Sequence, residues 1–373
     1  MVYRMTEWIE CTLDKLGEIV GGATPSTKCE DYYGGSIPWI TPKDLSSFKG
    51  RYITSGERNI TEKGLASCSA QMMPKDAVLF TSRAPIGYVA IASQSVCTNQ
   101  GFKSIVVNEK ADPLFVYYLL KYNKDAIEAM GSGTTFKEVS GKTMRAVKVR
   151  IPLDVSYQKR IAAVLDSLDT KIENNERIND NLQAQAQAVF ADMFITNANS
   201  DWQQGHLSDL VIVKYGKDHK RLADGIYPVF GSGGIMRHVE RPLYDKESVL
   251  IPRKGTLSNV IYIDEPFWSV DTMFYTEMKI PNVAKYVFHF VKGKDLVSMN
   301  AGSAVPSMTT DILNALEVSI PSDEALRAFE QIVSPMYTAI HENTKQIAKL
   351  ADLRDTLLPK LMSGEIDVSG VQL

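Results

Sequence analysis

Three groups of residues have the types and spacing that could do chemistry. Gly141-Lys142-Thr143 has the ending of a phosphate-binding loop, Asp271 with Glu277 and Lys279 has the residue types of a metal-dependent nuclease core, and Gly231-Ser232-Gly233-Gly234 could cradle a phosphate. The first fails on spacing, because G-x-x-x-x-G-K-[ST] needs glycine at 136 and the chain has Phe136. In the second, paired carboxylates would hold Mg²⁺ and the lysine would polarise an attacking water. Such near-matches arise easily among 41 basic and 44 acidic residues. It stays as an alternative, which metal-dependent cleavage by the isolated chain, abolished by Glu277→Ala, would support. The glycine run lacks the acidic partner and βαβ context of a nucleotide site and reads as a recognition loop. The five histidines have no metal-ligand spacing to one another or to the cysteines. No Pro-Pro pair exists from which to build the Asn/Asp-Pro-Pro-aromatic site of an amino-methyltransferase. The sequence therefore predicts no catalytic residue and no metal site.

What remains is basic residues among polar ones on irregular segments. In the first half these are Lys43, Lys49, Arg51, Arg58, Lys63 and Arg83; in the second they are Lys217, Lys220, Arg221, Arg237, Arg241, Arg253 and Lys254. Arginine contacts guanine bidentately in the major groove, and either side chain neutralises phosphate, so these are the candidate DNA contacts; solvated surface is the competing role for each. Arg83 and Arg253 stand out because each follows a Val-Leu strand in its half. Gly133-Thr134-Thr135 and Gly302-Ser303 precede expected short helices near Ser140 and Thr310, whose free N–H groups would suit a phosphate or be met by a simple cap.

Composition bounds the setting of these residues. The chain has 373 residues, 44% hydrophobic and 23% charged, which is ordinary for two or three globular domains. The net charge of −3 rules out a uniformly basic surface. Positive excess is confined to residues 1–154, with 19 basic against 16 acidic, so any DNA-binding surface is a local patch. Cys11, Cys29, Cys68 and Cys97 lie in the first half without a C-x-x-C pair and read as reduced, buried thiols. No apolar run approaches a membrane span and the N-terminal MVYRMTEWIECTLDKL lacks an apolar h-region, so the expected location is cytoplasmic, without membrane contact.

The elements that must position these residues occur twice. Trp8-x4-Leu13-x2-Leu16 recurs as Trp202-x4-Leu207-x2-Leu210. A heptad seam of Ile161, Leu165, Leu168, Ile172, Asn175, Asn179, Leu182, Ala186, Val189 and Met193 recurs from Phe329 to Leu361 with every position displaced by 168. Each seam predicts a helix of about 40 residues and about 60 Å, and the obvious partners are each other. Asn175 and Asn343 share a seam position, and a buried asparagine there would fix the register of an antiparallel pair. Between the seams, β-branched and aromatic runs among Gly, Pro and Asn predict α+β segments, with one helical stretch each near Phe115–Met130 and Ala284–Met299. The expected organisation is a first globular domain at 1–154, a helix at 155–196, a second globular domain at 197–321, a helix at 322–364 and a tail at 365–373. The repeat offset falls from 190 at Pro38/Pro228 to 171 at Val78/Val249, so 19 residues are missing from the second copy between those anchors. That is a loop on a shared framework, and such loops carry recognition.

The whole arrangement resembles the specificity subunit of type I restriction-modification systems. The stretches that carry the resemblance are LGEIVGGATPS, IPWITPKDL, AVLFTSRAPIGYVAI and, most specifically, GSGTTFKEVSGKTMRAVKVRIPLDVSYQKRIAAVLDSLDTKIENN. It implies two α+β target-recognition domains separated by an antiparallel two-helix coiled coil. It also implies a non-catalytic subunit reading a bipartite asymmetric target in double-stranded DNA, with half-sites on the order of one helical turn, about 34 Å, apart. The implied partners are two methylation subunits and restriction/translocation subunits, with S-adenosylmethionine, ATP and Mg²⁺ on those partners and no cofactor on this chain. The family often has Glu-Gln where each helix begins; here Tyr157-Gln158 and Ala325-Leu326 stand instead. The same module in a single-chain restriction-methylation enzyme, and a coiled-coil scaffold that never touches DNA, are the other expectations.

Overall fold

The computed structural model describes residues 7–133, 137–299 and 307–372. They form two compact units, Met1–Arg177 with Asn343–Leu373, and Ile178–Glu342. Each unit contains one globular α+β body and one end of each long helix.

In the first unit, β1 (Trp8–Thr12) pairs antiparallel with β10 (Lys148–Pro152). A five-stranded sheet runs in the order β2 (Gly17–Gly21), β9 (Lys103–Val107), β6 (Val78–Ser82), β7 (Ile86–Ala92), β4 (Tyr52–Ile53). A three-stranded sheet runs β5 (Arg58–Ile60), β3 (Tyr33–Ile40), β8 (Cys97–Thr98). Every residue of β6 is buried, as expected of a central strand read as an unbroken VLFTS run. The expected helical stretch is two helices, α3 (Pro113–Tyr122) and α4 (Lys124–Ala129), with Asp112 capping the first through Phe115 N–H and Pro113 at its first position. Short helices α1 (Pro42–Ser46) and α2 (Glu62–Ala66) fill the connections around β5, and α5 (Gly141–Ala146) precedes β10.

The second unit repeats this plan. The ribbon is β11 (Gln203–His206) with β19 (Glu317–Ile320). The larger sheet is β12 (Val211–Tyr215), β18 (Met273–Met278), β15 (Ser248–Pro252), β16 (Ile261–Ile263), and the smaller is β14 (Gly234–Val239), β13 (Tyr227–Gly231), β17 (Trp268–Ser269). Its helices are α7 (Leu207–Leu210), α8 (Ala284–Lys292) and α9 (Thr310–Asn314). Among the described residues no counterpart of β4 occurs, and the hydrogen-bond registers show why. In the first unit 19 positions separate Trp39 from its β5 partner Arg58; in the second, 8 separate Val229 from its β14 partner Arg237. From there to β6 or β15 the distances are 20 positions (Arg58 to Val78) and 12 (Arg237 to Val249). The missing 19 residues thus come out of two places. Eleven belong to the β3–β5 connection, which carries α1 and β4 and is replaced by a tight glycine hairpin at Ser232-Gly233. Eight belong to the stretch that carries α2.

The seams fold as α6 (Val155–Ala191), ending in a π-helical turn over Asp192–Thr196, and α10 (Asp323–Ser363), which continues through Pro335. Within the first unit they run antiparallel, with Asp169 against Arg354 and Asn175 against Gln346. Within the second, Phe190 and Phe194 pack on Phe329 in the same sense. Of the four free cysteines only Cys97 is fully buried, and burial pushes its thiol up to about 12.

Candidate nucleic-acid interface

The two smaller sheets each end in a turn, residues 98–102 and 269–273, framed by the same backbone hydrogen bonds. Ala23 N–H donates to Thr98 O at 3.0 Å, and Lys217 N–H to Ser269 O at 2.8 Å. Asn99 N–H donates to Ile40 O and Val270 N–H to Phe230 O, both at 3.0 Å. Ser82 N–H reaches Gly101 O at 2.7 Å, and Arg253 N–H reaches Thr272 O at 2.9 Å. Glycine is required where the strand before the turn passes over it: a Cβ on Gly22 would lie 2.2 Å from Thr98 O, and one on Gly216 would lie 2.0 Å from Val270 O. An indole seals each turn, Trp39 Nε1 donating to Ala23 O at 3.0 Å and Trp268 Nε1 to Lys217 O at 2.8 Å. The two tryptophans sit on opposite members of the repeated strand pair, since Trp39 faces Cys97 in one register and Val229 faces Trp268 in the other.

This frame sorts the candidate DNA contacts. In the second unit it gathers three of them, because the backbones of Lys217, Arg253 and Lys254 all hang on residues 269–272. Arg253 lies over the half-exposed Tyr215 ring, 5.3 Å from its centroid, and donates to Asp271 O at 3.2 Å. Lys49, Lys217, Lys220, Arg221, Arg241 and Lys254 are exposed and make no ion pair among the described residues, leaving their charge available to phosphate. The others are engaged. Lys43 meets Glu57 at 2.6 Å, Lys63 lies 3.9 Å from Asp31, Arg83 meets Glu138 at 3.3 Å and Arg237 meets Asp224 at 2.8 Å. Arg58 covers the Tyr33 ring at 4.2 Å. Arg58 and Arg237 hold matching places in the register. Arg83 and Arg253 do not: the shared frame matches Arg253 to Ser82 and Arg83 to Lys254.

Arg51 departs from its expected role. Its side chain is 6% exposed and grips α6, with Nη1 3.0 Å from Asp166 Oδ1 and Nη2 2.9 Å from Thr170 Oγ1 and 3.1 Å from Glu173 Oε2. It fastens the β4 connection to the helix, and its charge is spent on Asp166 and Glu173.

Residues 5–184 and 199–350 match the type I restriction modification DNA specificity domain, once in each half. The chain belongs to that family. It is 32% identical to the type I restriction enzyme MjaIX specificity subunit of Methanocaldococcus jannaschii, over 97% of this chain and 94% of that one. It is 23% identical to the EcoprrI specificity subunit of Escherichia coli over 85% and 84% of the two chains. The crystal structure of a type I restriction-modification S subunit from M. genitalium has the same fold, with TM-score 0.64 and 18% identity over 97% of each chain. Membership in the specificity family makes recognition, not catalysis, the part this chain plays.

The side chains that suggested catalysis are placed accordingly in this family member. Glu277 lies 3.9 Å from Lys214, and Lys279 Nζ donates to Ser208 O at 2.6 Å, so neither converges on Asp271. Gly141 opens α5, whose free N–H at Thr143 is met by Ser140 Oγ at 3.0 Å; Thr309 caps α9 in the same way through Ile312. Thr134, Thr135, Gly302 and Ser303 lie outside the described residues.

A second set of polar residues, which the sequence reading did not single out, joins each globular body to the helices. In the first unit Tyr118 O–H donates to Asp169 Oδ2 at 2.8 Å, and Arg354 Nη1 meets Asp169 Oδ1 at 2.8 Å. At the matching heptad position the second unit has Tyr337, whose hydroxyl lies 2.9 Å from His289 Nε2, with Gln187 Oε1 2.8 Å from His289 Nδ1. Lys285, 5% exposed, adds contacts to Glu330 at 2.6 Å and Glu247 at 3.1 Å. The signal was available at Arg354, a charged residue in a seam that is apolar apart from it and Asn343. Asn175, buried in the first seam, donates from Nδ2 to Gln346 Oε1 at 2.7 Å, one helical turn along from Asn343.

Proposed function

We propose that this chain is the sequence-reading subunit of a type I restriction-modification assembly, in which each half recognises one half of a bipartite, asymmetric duplex target. What carries this reading is the repeated turn: one backbone frame, built twice in one chain, bearing different side chains each time. Two copies of one frame can be presented to two stretches of the same duplex, and unlike side chains make the target asymmetric. The exposed, unpaired lysines and arginines supply the sequence-independent phosphate attraction. Base modification falls to two methylation subunits docked on the helices, which bring S-adenosylmethionine, and cleavage falls to restriction/translocation subunits using ATP and Mg²⁺. Among the described residues, Ser140 meets the Thr143 N–H at the start of α5, while Glu277 pairs with Lys214 and Lys279 with Ser208 O. Asn175 serves the helix register, and the boundaries near residues 154, 197 and 321 delimit exchangeable recognition domains.

Mapping methylated bases in cells with and without this gene tests the reading. The expected result is one bipartite motif that disappears with the gene. Exchanging residues 197–321 for another recognition domain should then change one half-site and leave the other. A continuous motif, or a change in both half-sites, would overturn it.

A further inference from the structure

Resting on that reading, we propose that the turn at residues 98–102 reads an A·T pair through Gln100 and that its duplicate at 269–273 reads a G·C pair through Asp271 and Arg253. Gln100 and Asp271 stand at the same place, two residues beyond the buried Thr98 and Ser269, and both side chains are exposed. The frame beneath them is the same to within a few tenths of an ångström in its hydrogen bonds, so the difference in what the turns can bind lies in the side chains alone.

In the first turn the chemistry is that of a neutral amide. Thr24 Oγ1 donates to Gln100 Oε1, which fixes the amide with its oxygen towards Thr24. The Nε2 hydrogens and the second lone pair of Oε1 then project together, a donor beside an acceptor. That pair complements adenine, whose N7 accepts and whose N6 amino group donates in the major groove. Asn99 is partly buried and turned into the turn itself, its Oδ1 accepting from Gly101 N–H at 2.8 Å, whereas Gln100 is exposed. Arg83 and Lys103 nearby are both drawn to Glu138, at 3.3 and 3.6 Å, which engages these two cations.

In the second turn the amide is replaced by a carboxylate, an acceptor only, which suits the N4 amino group of cytosine. Arg253 is held beside it by its contact to Asp271 O and by the Tyr215 ring, and its remaining guanidinium N–H groups can pair with guanine O6 and N7. Donor and acceptor thus stand side by side at a spacing set by one turn, as the two bases of a single G·C pair require.

The test replaces the gene, in cells that carry it, with Gln100→Ala, Asp271→Ala or the unaltered sequence and maps methylated bases in each. All three chains are checked for folding by thermal melting, which both exposed substitutions should leave unchanged. Gln100→Ala should make one A·T position of one half-site degenerate, with discrimination there falling roughly 5- to 150-fold, the loss expected for one bidentate base contact. Asp271→Ala should do the same to one G·C position of the other half-site. Unaltered half-sites in both variants, two relaxed positions in the same half-site, relaxation at the opposite type of base pair, or complete loss of methylation by a folded variant would each overturn the assignment while leaving the bipartite reading intact. Absence of any bipartite motif for the unaltered chain would remove the bipartite reading and this assignment with it.

Discussion

Acid should loosen the second unit through His289. Gln187 Oε1 can only accept, so the imidazole proton sits on Nδ1 and donates to it, and Nε2 accepts from the Tyr337 hydroxyl. That arrangement uses the neutral ring. Burial, with the nearby Lys292 charge, holds the His289 pKa down at about 4 against an ordinary 6.5. Because the folded-state value lies below the unfolded one, the unfolded chain binds the extra proton first. The stability tied to this ring is therefore fully present above about pH 6.5 and is withdrawn as the pH falls towards 4. A pKa displaced from 6.5 to about 4 is worth about 3 kcal/mol between the two protonation states. Amide hydrogen exchange, corrected for intrinsic rates, reads it out locally, with α3 as the internal reference for α8. Protection of Ala284–Lys292 should fall by roughly 50- to 100-fold between about pH 7.5 and about pH 4.5. His289→Gln keeps an amide that can accept from Tyr337 and donate to Gln187 but does not titrate. In that variant the added pH dependence of α8 should vanish. If wild type and variant lose protection in parallel, the ring is not the acid-labile element and the argument from its burial is wrong.

Three further outcomes follow from the same kind of accounting. Arg51→Met should lower first-unit stability in urea by about 1–3 kcal/mol, since it strands the partly buried Asp166 and Glu173 carboxylates, whereas Lys254→Ala should change stability by less than about 0.5 kcal/mol yet flatten the salt dependence of duplex binding by about one charge. Asn175→Leu should change stability by less than about 1 kcal/mol, because the exposed Gln346 Oε1 can take water in place of the lost donor, and a double-mutant cycle with Gln346→Ala measures the coupling directly from melting free energies.

The helices and the duplication were legible because their signals are local or periodic: a heptad seam needs nothing beyond its own residues to be read, and it located α6 and α10 closely. The strand runs around Val78 and Val249 were legible for the same reason, being continuous apolar stretches. What the sequence concealed is long-range. Arg51 is a basic residue in a polar loop, indistinguishable by type from Lys49, and only the fold brings it to carboxylates 115 and 122 positions away. Its partners Asp166 and Glu173 lie one heptad apart on one helix face, which hints at a shared cation without naming it. The pairing of Arg83 with Arg253 slipped by one residue because Val-Leu anchors fix a strand approximately, whereas hydrogen-bond register fixes it to the residue. His289 and Lys285 lay hidden inside an apolar helix, where a lone polar residue reads as tolerated surface until its partners are seen.

The exchanged tryptophans explain how one chain can hold two specificities without two folds. In the first unit the indole comes from β3 and in the second from β17, yet it meets the same carbonyl, that of residue 23 or 217. What the two units share is an indole N–H on this carbonyl, not the strand that supplies it. The turn above it is held by backbone groups and by the clearance at Gly22 and Gly216, so its position is insensitive to the side chains it displays. Exposed residues such as Gln100 and Asp271 can therefore differ at little cost in stability. The eleven-residue difference in the β3–β5 connection obeys the same logic, because it lengthens a loop between strands whose register is set elsewhere. The first unit uses the extra length to add α1, β4 and the Arg51 clasp; the second closes with a glycine hairpin that leaves Ile235 and Met236 exposed beside the reading turn. Specificity and stability are thus carried by different atoms of the same segment, the side chains and the backbone respectively.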